Sequence, residues 1–347
     1  MLLVGLLLLQ LAFIQSSSGD ALVTFKNVVF HGYYKFAPKF KPTILSGDSL
    51  KDFLPSDDFD RIEIVNQNVP VLFENAICDI GNLEELIIES CNVRSVLPGA
   101  FRNLARLKRI SLKVNVLSAI ENGVFNHLLM HTLDLSYNRI EKIASGAFDD
   151  MPHIYHINLA HNKISEWDVN WFKRTPELSV IYFKNNELEE LPGGCLRNLD
   201  SIRDVNLILS RNRISKINRD AFAGRKRINQ LFLDNNLLRK FDKEILRDTF
   251  VNDLRLNNNS IECFVEQDLD TVFRGTNVYI EYNPLDCECR EMLGKWSRKH
   301  DGKDLGINED ECFKGREDSL VLHWGRKPPY ADITVVLPKS YTNYTIF

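Results

Sequence analysis

The chain has 347 residues, 44% hydrophobic and 26% charged, with only 12 Pro and 17 Gly, which excludes a mainly disordered, collagen-like or low-complexity protein. Its 43 basic and 47 acidic residues leave a net charge of −4, so it lacks the basic excess that docks on nucleic-acid phosphates. Length alone suggests about two domains. Residues 1–19 read as a signal peptide. Leu2 to Ile14 are apolar apart from Gly5 and Gln10, small residues follow, and the first charged side chain is Asp20. The run is shorter than the ~20 residues a bilayer crossing requires. The expectation is a secreted, extracellular chain without membrane insertion, in a compartment that permits disulfides.

Residues 20–58 read as an N-terminal cap without cysteine. Val23–Phe30 is a strand by its β-branched and aromatic content, and the two prolines of Ala37–Pro42 predict a loop. Phe40, Leu45 and Phe53 also fit an extra, degenerate unit of the repeat that follows.

The repeat occupies residues 59–285. Ten units start at Phe59, Leu83, Leu107, Met130, Ile154, Leu178, Asp204, Ile228, Val251 and Gly275, in steps of 23 to 26 residues. Each approximates L-x-x-L-x-L-x-x-N-x-L. Leu107, Ile110, Leu112, Asn115 and Leu117 fill one unit, and Met130, Leu133, Leu135, Asn138 and Ile140 the next. Position 14 and position 19, the latter including Phe101, Phe125, Phe148, Phe172 and Phe222, are apolar in every unit tested. The pattern and its period are the signature of a leucine-rich repeat.

Each column has a physical reading. A short strand at positions 3–7 sends positions 4 and 6 into the coil and positions 3, 5 and 7 onto the inner, concave face. A coil cannot bury its own apolar side, so stacking makes the core. Position 9 is Asn in eight units, with Gln67 and Cys91 in the first two. Asn carries donor and acceptor together, so a ladder of asparagines can satisfy turn backbone inside the stack, and these residues are expected to be buried. The long step between Leu188 and Ile214 implies a two-residue insertion that distorts the stack locally.

Beyond Asn283-Pro284-Leu285 come Cys287, Cys289, Trp296 and Cys312. Residues 286–312 resemble the cysteine-containing C-terminal flanking cap of extracellular leucine-rich-repeat proteins. That resemblance implies four cysteines, the first bonded to the third and the second to the fourth. Here no cysteine follows Cys312, and Cys263 stands in. Cys263 and Cys287 both occupy position 13, and equivalent positions of adjacent coils lie about 5 Å apart. Two connectivities stay open: Cys263–Cys287 with Cys289–Cys312, slightly preferred, or the family-like Cys287–Cys312 with Cys263–Cys289. A dimer through an interchain bridge at Cys289 is a further outcome. Cys78 and Cys91 form another candidate pair, unless Cys91 is a buried thiol replacing a ladder Asn; Cys195 is the expected odd thiol. Residues 313–347 are a tail without heptads, carrying Pro328, Pro329 and Pro338.

From residue 59 to about 312 the chain resembles the extracellular leucine-rich-repeat family of Toll and chaoptin ectodomains, in a short format similar to secreted insect immune proteins. The resemblance implies an α/β leucine-rich-repeat solenoid, or horseshoe. It would have about ten 24-residue coils, a parallel β-sheet on the concave face, and mostly irregular or short helical structure on the convex side.

No GxSxG, HExxH, Walker or GxGxxG motif is present, so neither an enzyme nor a cofactor or metal site is expected. His153, His156 and His161 read as solvated histidines at or beside the binding face. On that face Tyr182, Ile208 and Phe232 form an expected exposed row, flanked by Tyr155 and Val180 and continued by Arg255. Aromatic and arginine side chains in line mark a protein-binding patch, against the plainer alternative of ordinary cross-strand packing. Glu84, Glu85 and Glu89 beside Lys108, Arg109 and Lys113 read as mutual surface salt bridges. Sequons at Asn258 and Asn343 are candidate N-glycosylation sites, and a glycan at Asn258 would direct a partner toward earlier coils. The expected function is a secreted, non-enzymatic binder of a protein ligand, in innate immunity or extracellular signalling. The alternative is a structural component of extracellular matrix or cell adhesion.

Overall fold

The structure is a computed structural model. It describes residues 23–34, 43–54, 58–199, 204–275 and 277–307. The expected signal peptide, the Ala37–Pro42 loop, Cys312, Asn343 and the C-terminal tail lie outside the described residues.

One twelve-stranded sheet organises the chain. Ten of its strands are parallel and follow in chain order, from Phe59–Val65 through Arg109–Ser111, His156–Asn158, Val180–Tyr182 and Asn206–Ile208 to Asn277–Tyr279. Ten strands bound nine closed turns, slightly fewer than the ten coils expected, because the last strand runs into the cap rather than into another turn. Each strand contributes alternate side chains to the core. Ile110 and Leu112, Leu133 and Leu135, Ile157 and Leu159, and Leu207 and Leu209 are all fully buried, each worth about 1.5–3 kcal/mol by transfer from water. Across strands these residues stack in register, Leu133 on Ile157 and Ile181 on Leu207. On the far side, Phe101 stacks on Phe125 and Phe148 on Phe172, at 5.9 and 5.7 Å between ring centres. The chain there forms two-residue strand pairs such as Ala119–Ile120 with Lys142–Ile143, and single helical turns.

The asparagine ladder is as expected. Asn162 donates to the carbonyls of Leu135 and Leu159, both at 3.0 Å, and accepts from the Ile140 N–H at 3.0 Å. Asn138, Asn186, Asn212, Asn236, Asn259 and Asn283 repeat the pattern. The Cys91 thiol fills the same slot, donating to Ile64 and Glu89 carbonyls. Gln67 is half-buried instead, and accepts from the Val29 N–H of the cap at 3.2 Å.

Two expectations are corrected here. The N-terminal segment is not an eleventh coil. Phe25–Tyr34 pairs antiparallel with both Thr43–Gly47 and the first parallel strand, so a hairpin closes the edge of the sheet. Its close approach requires Gly32, where a Cβ would come within 2.4 Å of the Phe59 ring. Nor does the long step disturb the sheet. Val180 pairs with Asn206, and Tyr182 with Ile208, in unbroken register.

At the C-terminal end the coil gives way to the helix Cys287–Lys299, started by Asp286, whose carboxylate accepts from the Cys289 N–H at 2.7 Å. This overturns the preferred pairing. Cys263 bonds Cys289, with Cα atoms 5.4 Å apart. Once the segment is helical, position 13 no longer lies above its equivalent. Two residues of helix turn the side chain by about 200°, so buried Cys289 faces the last coil and exposed Cys287 does not. Cys287 is itself disulfide-bonded. Cys78 and Cys91 do not pair; they and Cys195 are buried free thiols. The strand alternation sends Cys91 to the ladder, whereas Cys78 contacts Ser49 Oγ at 3.7 Å.

Candidate protein-binding surface

The sheet presents positions 3, 5 and 7 of each coil on the side away from the core, and here the expected row changes character. Tyr155, Val180, Ile208 and Phe232 are buried, and only Tyr182 and Arg255 remain half-exposed. Neighbouring strands lie only ~4.8 Å apart, so a long side chain of one coil lies over the next. The Arg255 guanidinium stands 3.8 Å from the centre of the Phe232 ring and 5.4 Å from that of Tyr279. It also lies 3.7 Å from Asp253. Tyr182 meets His156 edge-on at 5.3 Å. The expected apolar strip is therefore a Phe232–Arg255–Tyr279 ladder with an exposed tyrosine at its end, plus Tyr182 two coils before Phe232. Tyr279 stood in the same column of the sequence; the signal that singles it out is an arginine one coil before it.

Burial also sets the electrostatics. The His156 imidazole is pushed down to about 4 by loss of solvent, opposed by Asp134 and assisted by Arg109. The Tyr182 hydroxyl is pushed up to about 12 by the same cause. Burial raises the Asp253 carboxyl, against the pull of Arg255. The sheet face is thus largely neutral at its tyrosine and histidine positions. Its N-terminal end is charged, and of the expected mutual salt bridges only that of Lys108 forms among the described residues, Arg109 and Lys113 making no ion pair. Lys108 pairs with Glu84 at 2.6 Å, Arg61 with Glu63 and with Glu85, and Glu89 accepts from Ser111.

The three neighbouring histidines do not converge. His156 is buried in the sheet, exposed His153 lies 3.4 Å from Glu177, and His161 stacks on Tyr137 at the strand-to-turn rim. Among the described residues no group of three or more His, Cys, Asp or Glu could hold a metal ion, and no helix is long and apolar enough to cross a membrane. Asn258 is half-buried at a left-handed turn with φ 53°. Its sequon therefore straddles the outward Asn258 and the inward ladder residue Asn259.

Comparison with known proteins agrees with this geometry. Residues 71–203 match the family described as BspA type leucine rich repeat region, in six copies. Mouse CD180 antigen is 25% identical over 228 residues, 62% of this chain and 33% of CD180. Chicken lumican is 25% identical over 264 residues, covering 73% of this chain and 74% of lumican. Mouse podocan matches over 48% of this chain and 26% of its own length; the chain thus spans about a quarter to a third of podocan and CD180. Among solved structures, the mouse RP105/MD-1 complex superposes with a TM-score of 0.61 at 21% identity, over 70% of this chain and 41% of the other. The Drosophila Toll–Spatzle complex gives 0.57 at 17%, over 66% and 32%. Repeat pattern, strand register and these matches agree that the chain has the leucine-rich-repeat fold.

Proposed function

We propose that the chain is a secreted, non-enzymatic protein that binds a protein ligand through the concave face of its long sheet, in innate immunity or extracellular signalling. The observation that carries this reading is the Phe232–Arg255–Tyr279 ladder, with half-exposed Tyr182 two coils before it on the same face. Arginine and tyrosine held on a rigid sheet dominate binding energy at protein interfaces, and preorganisation lowers the cost of association. Two similar solved structures are complexes, of RP105 with MD-1 and of Toll with Spatzle, which supports a protein partner here. Secretion draws on the apolar N-terminal run and on the disulfides of the C-terminal cap.

The test is capture of the partner from the medium of the source tissue by the tagged full chain, compared with Tyr182→Ala and Arg255→Ala. Loss of at least tenfold in affinity on either change is expected, with Tm held within a few degrees. Capture unaffected by both would refute the sheet-face site. Recovery of the chain as a free monomer or defined complex supports the binding role; retention on cells or matrix until a high-salt wash would favour the structural alternative.

A further inference from the structure

Position 8 of every coil, where the strand enters its turn, is left-handed, with φ between 53° and 58°. The reason is geometric: this turn aims the position-8 N–H at the position-7 carbonyl of the next coil. Val114 donates to Ser136, Tyr137 to Ala160 and His161 to Lys184, at 3.1, 2.9 and 2.8 Å. Asn tolerates the conformation, and four coils use it, at Asn66, Asn185, Asn235 and Asn258. Ser90, Arg211 and Tyr282 hold the position in three others, and the remaining three, consecutive in the stack, carry Val114, Tyr137 and His161. A β-branched residue is a true outlier in this region.

Of the three, His161 is half-buried and meets the Asn185 side-chain amide at 3.0 Å, whereas the other two are largely open. Val114 is 45% and Tyr137 49% exposed. Tyr137 and His161 stack at 4.0 Å with 10° between planes, and Lys113 Nζ stands 5.7 Å from the Tyr137 ring centre. Lys113 and Lys184 flank the row, Arg139 follows Tyr137 by two residues, and none of the three makes an ion pair among the described residues, whereas Glu141 pairs with Lys163 and Glu187 with Arg213. The His161 imidazole is held below its usual range by burial and then by Lys184 and Arg211, an independent sign of positive potential. Strain kept at exposed Val114 and Tyr137 beside unpaired cations, a combination that Tyr282 lacks, points to a role outside folding.

We propose that the Val114–Tyr137–His161 rim docks an acidic segment of a protein partner, its carboxylates on Lys113, Arg139 and Lys184 and an apolar side chain on the Tyr137 ring and Val114. Two coil steps, about 10 Å, match roughly three residues of extended peptide. The aliphatic Val114 in the row favours a peptide over an anionic glycan. The proposal rests on the reading of the chain as a protein binder; Lys113 and Lys184 belong to position 7 at the margin of the sheet face, but the proposal does not use Tyr182 or Arg255.

The experiment measures binding of a labelled random Glu–Tyr copolymer to the full chain by fluorescence anisotropy, with heparin as the glycan probe. Tyr137→Asn removes the ring and relieves the left-handed strain. It is expected to weaken copolymer binding at least tenfold with Tm unchanged or raised, so that lost binding is not lost folding. Lys113→Gln with Lys184→Gln is expected to weaken it about fivefold and flatten its salt dependence. Val114→Asn serves as the second strain-relieving variant. Tyr282→Ala, exposed and left-handed at the far end of the same column, is expected to change nothing. Absence of copolymer binding, binding indifferent to Tyr137→Asn, or binding of heparin alone would each overturn the proposal. None of these would bear on the sheet-face reading, which is tested by Tyr182→Ala and Arg255→Ala with the captured partner.

Discussion

His156 shows how a single buried side chain couples this fold to pH. Its ring lies against Tyr182, with Asp134 and Arg109 as charged neighbours, and burial lowers its pKa from 6.5 to about 4. The unfolded chain binds a proton near 6.5 and the folded chain does not until about 4. Stability is therefore complete above pH 7, falls as pH drops through 6.5, and levels off near 4. The shift corresponds to a loss on the order of 3 kcal/mol. Denaturant titrations at pH 7 and pH 4 should show His156→Gln losing less stability than the unaltered chain by about that amount. Equal losses in both proteins would mean that the imidazole is solvated or charged in the folded state. The burial that produces this effect was not legible in the sequence. Alternation told which way residues 156, 208 and 232 point, but not that Arg255, 23 residues after Phe232, lies across its ring. Exposure on a sheet face depends on the neighbouring coil, which pattern within one coil does not contain.

Elements whose neighbours are their own repeats were legible almost throughout. The strands, the buried asparagines and the phenylalanine column each satisfy the same constraint at every step, so one unit determines the next. Legibility ended where the repeat ends. The alternation of the coils was extrapolated past Asn283 into a segment that Asp286 turns into a helix, and this exchanged Cys289 for Cys287 as the partner of Cys263. The bond closes a loop between residues 26 apart, worth about 3 kcal/mol by the chain-entropy model. Because stability in a stacked array is mostly a nearest-neighbour quantity, its removal should act locally. In the Cys263→Ala, Cys289→Ala double variant, amides of residues 250–299 are expected to exchange at least tenfold faster with hydrogen–deuterium labelling. Amides of residues 132–182 are expected to keep their protection. Uniform acceleration along the chain would show that the array unfolds as one unit. Peptide mapping of the unreduced protein that joined Cys263 to Cys287 would contradict the pairing outright.

At the scale of the whole array, ten parallel strands leave two ends, and each end is a row of unpaired backbone groups over a cut core. The C-terminal end is closed by the helix Cys287–Lys299 and its disulfide. The N-terminal end has no described disulfide and depends on the hairpin alone. Phe25, Val28, Phe30 and Leu45 are fully buried against the first coil, Tyr34 stacks on Phe59 at 4.4 Å, and the Tyr33 hydroxyl donates to Glu63 at 2.7 Å. Without these residues the edge strand Phe59–Val65 would offer its backbone, with Phe59, Ile62 and Ile64 behind it, to any other chain. A chain starting at Asp58 is therefore expected to associate edge to edge. Light scattering after size exclusion should find dimers and larger species whose share rises with concentration, and a Tm lower by at least 5 °C than that of the chain starting at Asp20. A monodisperse monomer with unchanged Tm would show that the first coil closes itself and that the hairpin has some other purpose. Substituting Gly32→Ala in the full chain forces a Cβ into the Phe59 ring and should produce a milder version of the same association, which separates loss of the cap's fit from loss of its mass.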